Sequence, residues 1–177
     1  MYSPDPQRLA TFYRDAIGET EIENVRVELV DQNDISLAQG RSFIPTSGFD
    51  MRAIGLAIPG RAHARSGTRE EGGRHLVQIE SGFSPEATAS TLVHELCHVW
   101  QFNHLDVTRL EASHGRELIE GHAVWTEDAF LQWQRTRTHG LFSSERWNAA
   151  QRAIDSLKVS AGLYGEGYRI LCGQLAL

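Results

Sequence analysis

A chain of 177 residues, 41% hydrophobic and 23% charged, is long enough to bury one core, and a single domain over residues 1–177 is expected. Its net charge of −6 argues against a general nucleic-acid binder, because no surplus of Lys and Arg is at hand to neutralise phosphates. Two cysteines are too few for a Cys-rich zinc module or a disulfide scaffold, and no apolar run approaches membrane-spanning length.

The start, Met1-Tyr2-Ser3-Pro4-Asp5-Pro6, has no basic region followed by an apolar stretch, so no signal peptide is read there and a cytoplasmic location is expected. Residues 6–17 pattern as a short helix with Leu9, Phe12, Tyr13, Ala16 and Ile17 on its apolar side, stopped by Gly18. Residues 25–30 alternate apolar and charged, the signature of a half-exposed strand. Residues 35–42 fit either a short helix or an irregular link. Residues 53–58 form a second strand candidate, stopped by Pro59-Gly60. From 60 to 74, Arg61, Arg65, Arg69 and Arg74 stand among glycines and Glu70-Glu71. A mobile, solvated hairpin loop is expected there, in preference to a basic flap meeting an acidic partner. Residues 75–80 are the third strand. As the last strand before the helices, it is expected to border a cleft, where a peptide would add to it by main-chain hydrogen bonding.

Ser84-Pro85-Glu86 reads as a helix start: Ser as N-cap, Pro at the first helical position, an acid in the first turn. Nothing breaks that helix until about residue 104. It carries His94-Glu95-Leu96-Cys97-His98, an H-E-x-x-H pattern. Residues four apart share a helix face, so two imidazoles can grip one metal ion while Glu95 takes a proton from water held beside them. Leu92, Val93, Leu96, Cys97, Val99 and Trp100 supply apolar surface elsewhere on the helix, with Cys97 as a packed thiol. A long second helix follows over 115–136. A third, capped by Ser143 or Ser144, runs to about 161. The tail from Tyr164 turns on Gly165 and Gly167 and is then helical or extended.

Catalytic zinc takes three protein ligands and keeps a position for water. Glu120, in Leu118-Ile119-Glu120-Gly121-His122, is the favoured third ligand: a carboxylate from a separate helix, with Gly121 letting that helix approach the motif helix closely. Glu127, two turns on, would be the acceptor that orients a ligand histidine. Two other candidates stay open. His104 has the spacing of H-E-x-x-H-x-x-G-x-x-H, but Gln101 stands where the glycine is needed and no Met-turn follows. His114, in Ser113-His114-Gly115, is placed as in SprT-like and Spartan-like proteases, to which Thr91-Leu92-Val93-His94-Glu95 bears a fair similarity. Those proteins normally continue into a nucleic-acid-binding module, which has no counterpart here.

Together, His94-Glu95-x-x-His98-x-Trp100, Glu120-Gly121 and Tyr164-Gly165-Glu166-Gly167-Tyr168-Arg169 resemble the peptidase domain of the plant LIM-domain peptidases that control organ size. They are similar to gluzincin-type metallopeptidases more broadly, over about residues 22–172. The resemblance implies an α+β, zincin-like fold: a small mixed sheet, then the motif helix and further C-terminal helices. It also implies a zinc endopeptidase acting on peptide or protein substrates. Zn²⁺ would be held by His94, His98 and Glu120, with Glu95 as general base. Tyr164 is the expected donor to the developing oxyanion, with Tyr168 and His122 as alternatives. The family's LIM and ubiquitin-interacting portions have no counterpart in this chain, so substrate and regulation do not carry over. His122 also departs from the family's usual residue after Glu-Gly. A hydrolase of non-peptide amides, or a zinc-stabilised interaction module without hydrolysis, are the competing functions. The second leaves Glu95 without a purpose.

Overall fold

The computed structural model describes residues 11–12, 25–30, 66–71, 74–105, 115–137 and 145–173. These residues contain three strands, β1 (Val25–Val30), β2 (Ser66–Glu71) and β3 (Arg74–Glu80), followed by four helices, α1 (Pro85–His104), α2 (Gly115–Arg137), α3 (Glu145–Val159) and α4 (Leu163–Leu171). The arrangement is α+β, as expected. The strand expected at 53–58, the link at 35–42, the Ser143/Ser144 cap and most of the 6–17 helix lie outside the described residues.

The sheet is mixed, in the order β1-β3-β2. β1 runs parallel to β3, with Val27 opposite Val77, and β2 runs antiparallel, with Thr68 opposite the same Val77. Two expectations are corrected here. Residues 66–71 are a strand paired with β3 throughout, not part of a loop. Ser66, Gly67 and Glu70 are weak strand formers, but tertiary pairing overrides a weak propensity. Only Gly72 and Gly73 separate the two strands in sequence. β3, expected to border the cleft, is the central strand: both of its edges are already hydrogen-bonded, so no peptide can add to it. Val77 and Ile79 are fully buried, and Gln78 is buried too, its Nε2 donating to Glu28 Oε2 at 3.1 Å across the register pair.

α1 starts as its cap predicts, with the Ala87 amide donating to Ser84 Oγ at 3.2 Å. The helix packs against β2 and β3 and also against α2 and α3, so every residue from Thr88 to Val99 is buried. Its polar face must therefore be answered by partners from α2 rather than by water. Phe12 belongs to the same core, edge-on to Phe130 at 5.2 Å and to Trp133 at 5.7 Å between ring centres.

The most extensive helix pair is α2 with α4. It is a glycine crossing. A Cβ on Gly121 would collide with the Gly167 and Tyr168 backbone, and a Cβ on Gly167 would collide with the Glu117 carbonyl. Gly121 thus brings α2 against α4 and not, as expected from its position beside Glu120, against the motif helix. α4 is the tail expected to turn on Gly165 and Gly167; that expectation is corrected, since both glycines lie inside the helix, where they admit close backbone contacts. Gly162 precedes it at φ 114, and Arg169 Nη1 donates to the Lys158 and Ser160 carbonyls at 3.1 Å each, satisfying the end of α3. Among the described residues, no helix is long and apolar enough to cross a membrane.

Candidate metal centre

His94 and His98 lie one turn apart on α1, with ring centres 4.8 Å from each other, and both are 7% exposed. Glu120 comes from the second turn of α2. Its Oε2 is 3.3 Å from His94 Nε2 and 3.6 Å from His98 Nε2. The three donor atoms all lie within 4.8 Å of one another, the one such group of ligand side chains among the described residues. A tetrahedral zinc with ligands at about 2.0–2.2 Å spaces its donors about 3.3–3.6 Å apart, so two of the three edges match and the donor set fits the ion.

Outer partners bind the other nitrogen of each ring. His94 Nδ1 donates to Glu127 Oε2 at 3.0 Å, and Ser90 Oγ donates to Glu127 Oε1 at 3.0 Å. Glu127 is completely buried, so its charge is met by these two donors. His98 Nδ1 meets Gln101 Oε1 at 2.8 Å. Acceptors on both Nδ1 atoms leave both Nε2 atoms for the ion, the arrangement that orients ligand histidines.

Charge balance follows from packing. Burial alone would depress the His94 imidazole, yet hydrogen bonds to Glu120 and Glu127 and their charges outweigh it and hold it well above 6.5. His98 is likewise depressed by burial but raised on balance, chiefly by the Glu120 charge. Burial would raise the Glu120 carboxyl, but the two imidazoles bring it far below its ordinary 4.5. Without metal, protons on the imidazoles balance the carboxylates. An ion held there would take that place.

Glu95 is 3% exposed, and its charge is among those that raise His98. Tyr164, in the first turn of α4, is half-buried, with its ring centre 6.0 Å from that of His94. Burial, then the charges of Glu120, Glu95 and Glu127, push its phenol well above 10, so it stays a protonated hydrogen-bond donor.

The other candidates fall elsewhere. His104 is exposed at the end of α1, stacked on Trp100 at 4.9 Å with Nδ1 on the Trp100 carbonyl, and does not join the cluster. His114 lies outside the described residues. Tyr168 donates its hydroxyl to Asp128 Oδ2 at 3.3 Å, so its proton is already engaged. His122 is half-buried, with Nδ1 3.1 Å from Gln101 Nε2 and its ring between Trp100 and Trp125. Burial, then the His98 charge, lower its pKa from 6.5. Cys97 is a packed thiol: burial pushes it up to about 12, and Thr126 Oγ1 donates to its sulfur at 3.4 Å.

Sequence reasoning missed Gln101 and Ser90. Gln101 was read only as a residue unfit to replace a glycine, whereas its i+3 spacing from His98 was the usable signal. Comparisons of the chain with protein families, with curated proteins and with solved structures find no match.

Proposed function

We propose that this chain is a zinc-dependent hydrolase, specifically a gluzincin-type peptidase of zincin-like fold acting in the cytoplasm on peptide or protein substrates. One observation carries the reading. His94 Nε2, His98 Nε2 and Glu120 Oε2 converge within 4.8 Å while both Nδ1 atoms are engaged by acceptors. Zinc held by these three residues would supply Lewis-acid polarisation of a carbonyl and a water acidic near neutral pH.

The rest is the work of the chain's own groups. Glu95 takes a proton from water. The resulting hydroxide adds to the scissile carbonyl carbon, and as the C–N bond breaks Glu95 passes that proton to the departing amine nitrogen. Tyr164, kept protonated by its surroundings, donates a hydrogen bond to the carbonyl oxygen as negative charge gathers there. Near-complete burial of Glu95, His94 and His98 keeps bulk water away and strengthens each of these interactions.

The test is zinc stoichiometry and anomalous scattering on crystals of wild type and Glu120→Ala, followed by cleavage profiling with Glu95→Gln. One zinc per chain, lost in Glu120→Ala, is expected. Glu95→Gln should keep the metal and lose about 10²–10⁴-fold in rate. A folded wild type that stays empty after zinc soaking overturns the reading. Zinc kept and turnover unchanged in Glu95→Gln would favour a metal-stabilised interaction module.

A further inference from the structure

Gln101 is fully buried on α1, one turn beyond His98, and both ends of its amide are held. Its Nε2 donates to the Ile119 carbonyl of α2 at 2.9 Å and lies 3.1 Å from His122 Nδ1. Its Oε1 lies 2.8 Å from His98 Nδ1. A carbonyl oxygen only accepts, so Ile119 decides which end of the amide is nitrogen. Reversing the amide would set two acceptors, Oε1 and the Ile119 carbonyl, against each other in the core. Oε1 therefore faces His98, and an amide oxygen also only accepts. The proton of neutral His98 must sit on Nδ1, which leaves the lone pair on Nε2, the nitrogen facing Glu120. By the same logic His122 accepts through Nδ1 and keeps its proton on Nε2.

We propose that Gln101 is a positioning residue for zinc: anchored by the Ile119 carbonyl and His122, it fixes the tautomer and ring orientation of His98. The proposal rests on the zinc reading above. It makes the Ile119 to His122 stretch of α2 serve both ligands, since Glu120 offers its carboxylate directly and its neighbours act on His98 through Gln101. Glu127 does for His94 what Gln101 does for His98, but with a fixed acceptor in place of an orientable amide.

Three variants test it. Gln101→Met keeps the volume and removes both polar ends. Gln101→Glu keeps an oxygen for His98. His122→Phe leaves Gln101 in place and removes one of its anchors. Zinc affinity by chelator competition should fall about 10–100-fold in Gln101→Met, the usual cost of losing an outer partner, and by less in the other two. Nitrogen-15 spectra of the histidine rings, taken on metal-free protein at alkaline pH, should show His98 protonated on Nδ1 in wild type and in Gln101→Glu. In Gln101→Met that preference should be lost. This readout is independent of zinc, so a wild type that binds no zinc overturns the function reading, while the tautomer still answers for Gln101. Wild-type zinc affinity in a folded Gln101→Met, or a wild-type His98 protonated on Nε2, overturns the proposal. Should Gln101→Met fail to fold, unchanged affinity and unchanged His98 spectra in His122→Phe overturn it instead.

Discussion

Helix α2 carries two clusters of ionisable side chains, and they are satisfied in opposite ways. At Glu120 and Glu127 it meets His94 and His98 in the core, where every charged group is nearly or wholly out of water. At Asp128, one residue on, it meets Lys158, whose Nζ lies 3.0 Å from Asp128, 3.0 Å from Asp155 and 5.5 Å from the Tyr168 ring centre. The outer cluster has its own cation at its centre, and Gln151 bridges Asp128 and Asp155 with one amide. In the inner cluster, Glu120 and Glu127 meet the two imidazoles and the Ser90 hydroxyl. This cluster turns two ring nitrogens and a carboxylate oxygen toward a common point. Acidic groups buried without a fixed cation are costly unless something positive arrives, whereas acidic groups around a lysine are complete. That contrast separates a ligand site from a structural ion pair more sharply than the presence of charge in the core.

The joint between the clusters is the Gly121–Gly167 crossing, and breaking it should have the largest effect. Gly167→Ala would drive a methyl group into the Glu117 carbonyl, forcing α2 and α4 apart. A loss of about 3 kcal/mol, at the upper end for overpacking, is expected in urea unfolding. Zinc affinity should fall as well, because Glu117 and Gly121 flank Glu120.

Removing the acceptor of His94 comes next. Glu127→Ala leaves His94 Nδ1 and Ser90 Oγ unmet in the core, which should cost about 1–3 kcal/mol and weaken zinc binding about 10–100-fold. A variant with unchanged zinc affinity would show that His94 needs no orienting partner.

The clusters should also differ in pH response. The His94 and His98 imidazoles are raised above 6.5, so on the proposed reading protons would compete with zinc from above that pH downward. Zinc affinity should therefore drop as pH falls through neutrality, with proton release on binding seen by calorimetry in buffers of different ionisation enthalpy. Burial would lower Lys158, but its bonds to Asp128 and Asp155 raise it above 10.5. Burial would raise Asp155, but Lys158 and Gln151 take it below 3.8. The outer cluster's contribution is thus lost only as pH rises through the raised lysine value or falls through the lowered carboxyl value, and is flat near neutrality. The smallest effect belongs there: Lys158→Met should cost under about 1 kcal/mol, as for other partly exposed pairs, and leave zinc binding unchanged.

What could be read beforehand was local. The Ser84 cap, the i,i+4 histidines and the carboxylate at Glu120 are each stated within a few residues; α1 places the first two as the spacing requires, and α2 brings Glu120 to the histidines. What escaped depends on partners distant in sequence. β2 is a strand because β3 accepts it, and Ser66-Gly67-Thr68 does not announce that. Gly121 was legible as a place of close approach, but whether α1 or α4 filled it is decided by Gly167, forty-six residues on (167 − 121). Gln101 escaped because its role is set by a backbone carbonyl, and every residue has one.

The glycine crossing also sets an order of events. A chain lengthening from its N-terminus presents His94, His98 and Glu120 before it presents Gly167 and Tyr164. On the proposed reading, the metal ligands can therefore meet while the phenol is still absent, and the docking of α4 brings the last group in. Ion capture and catalytic competence become separate stages of maturation, the second gated by how closely two backbones can touch.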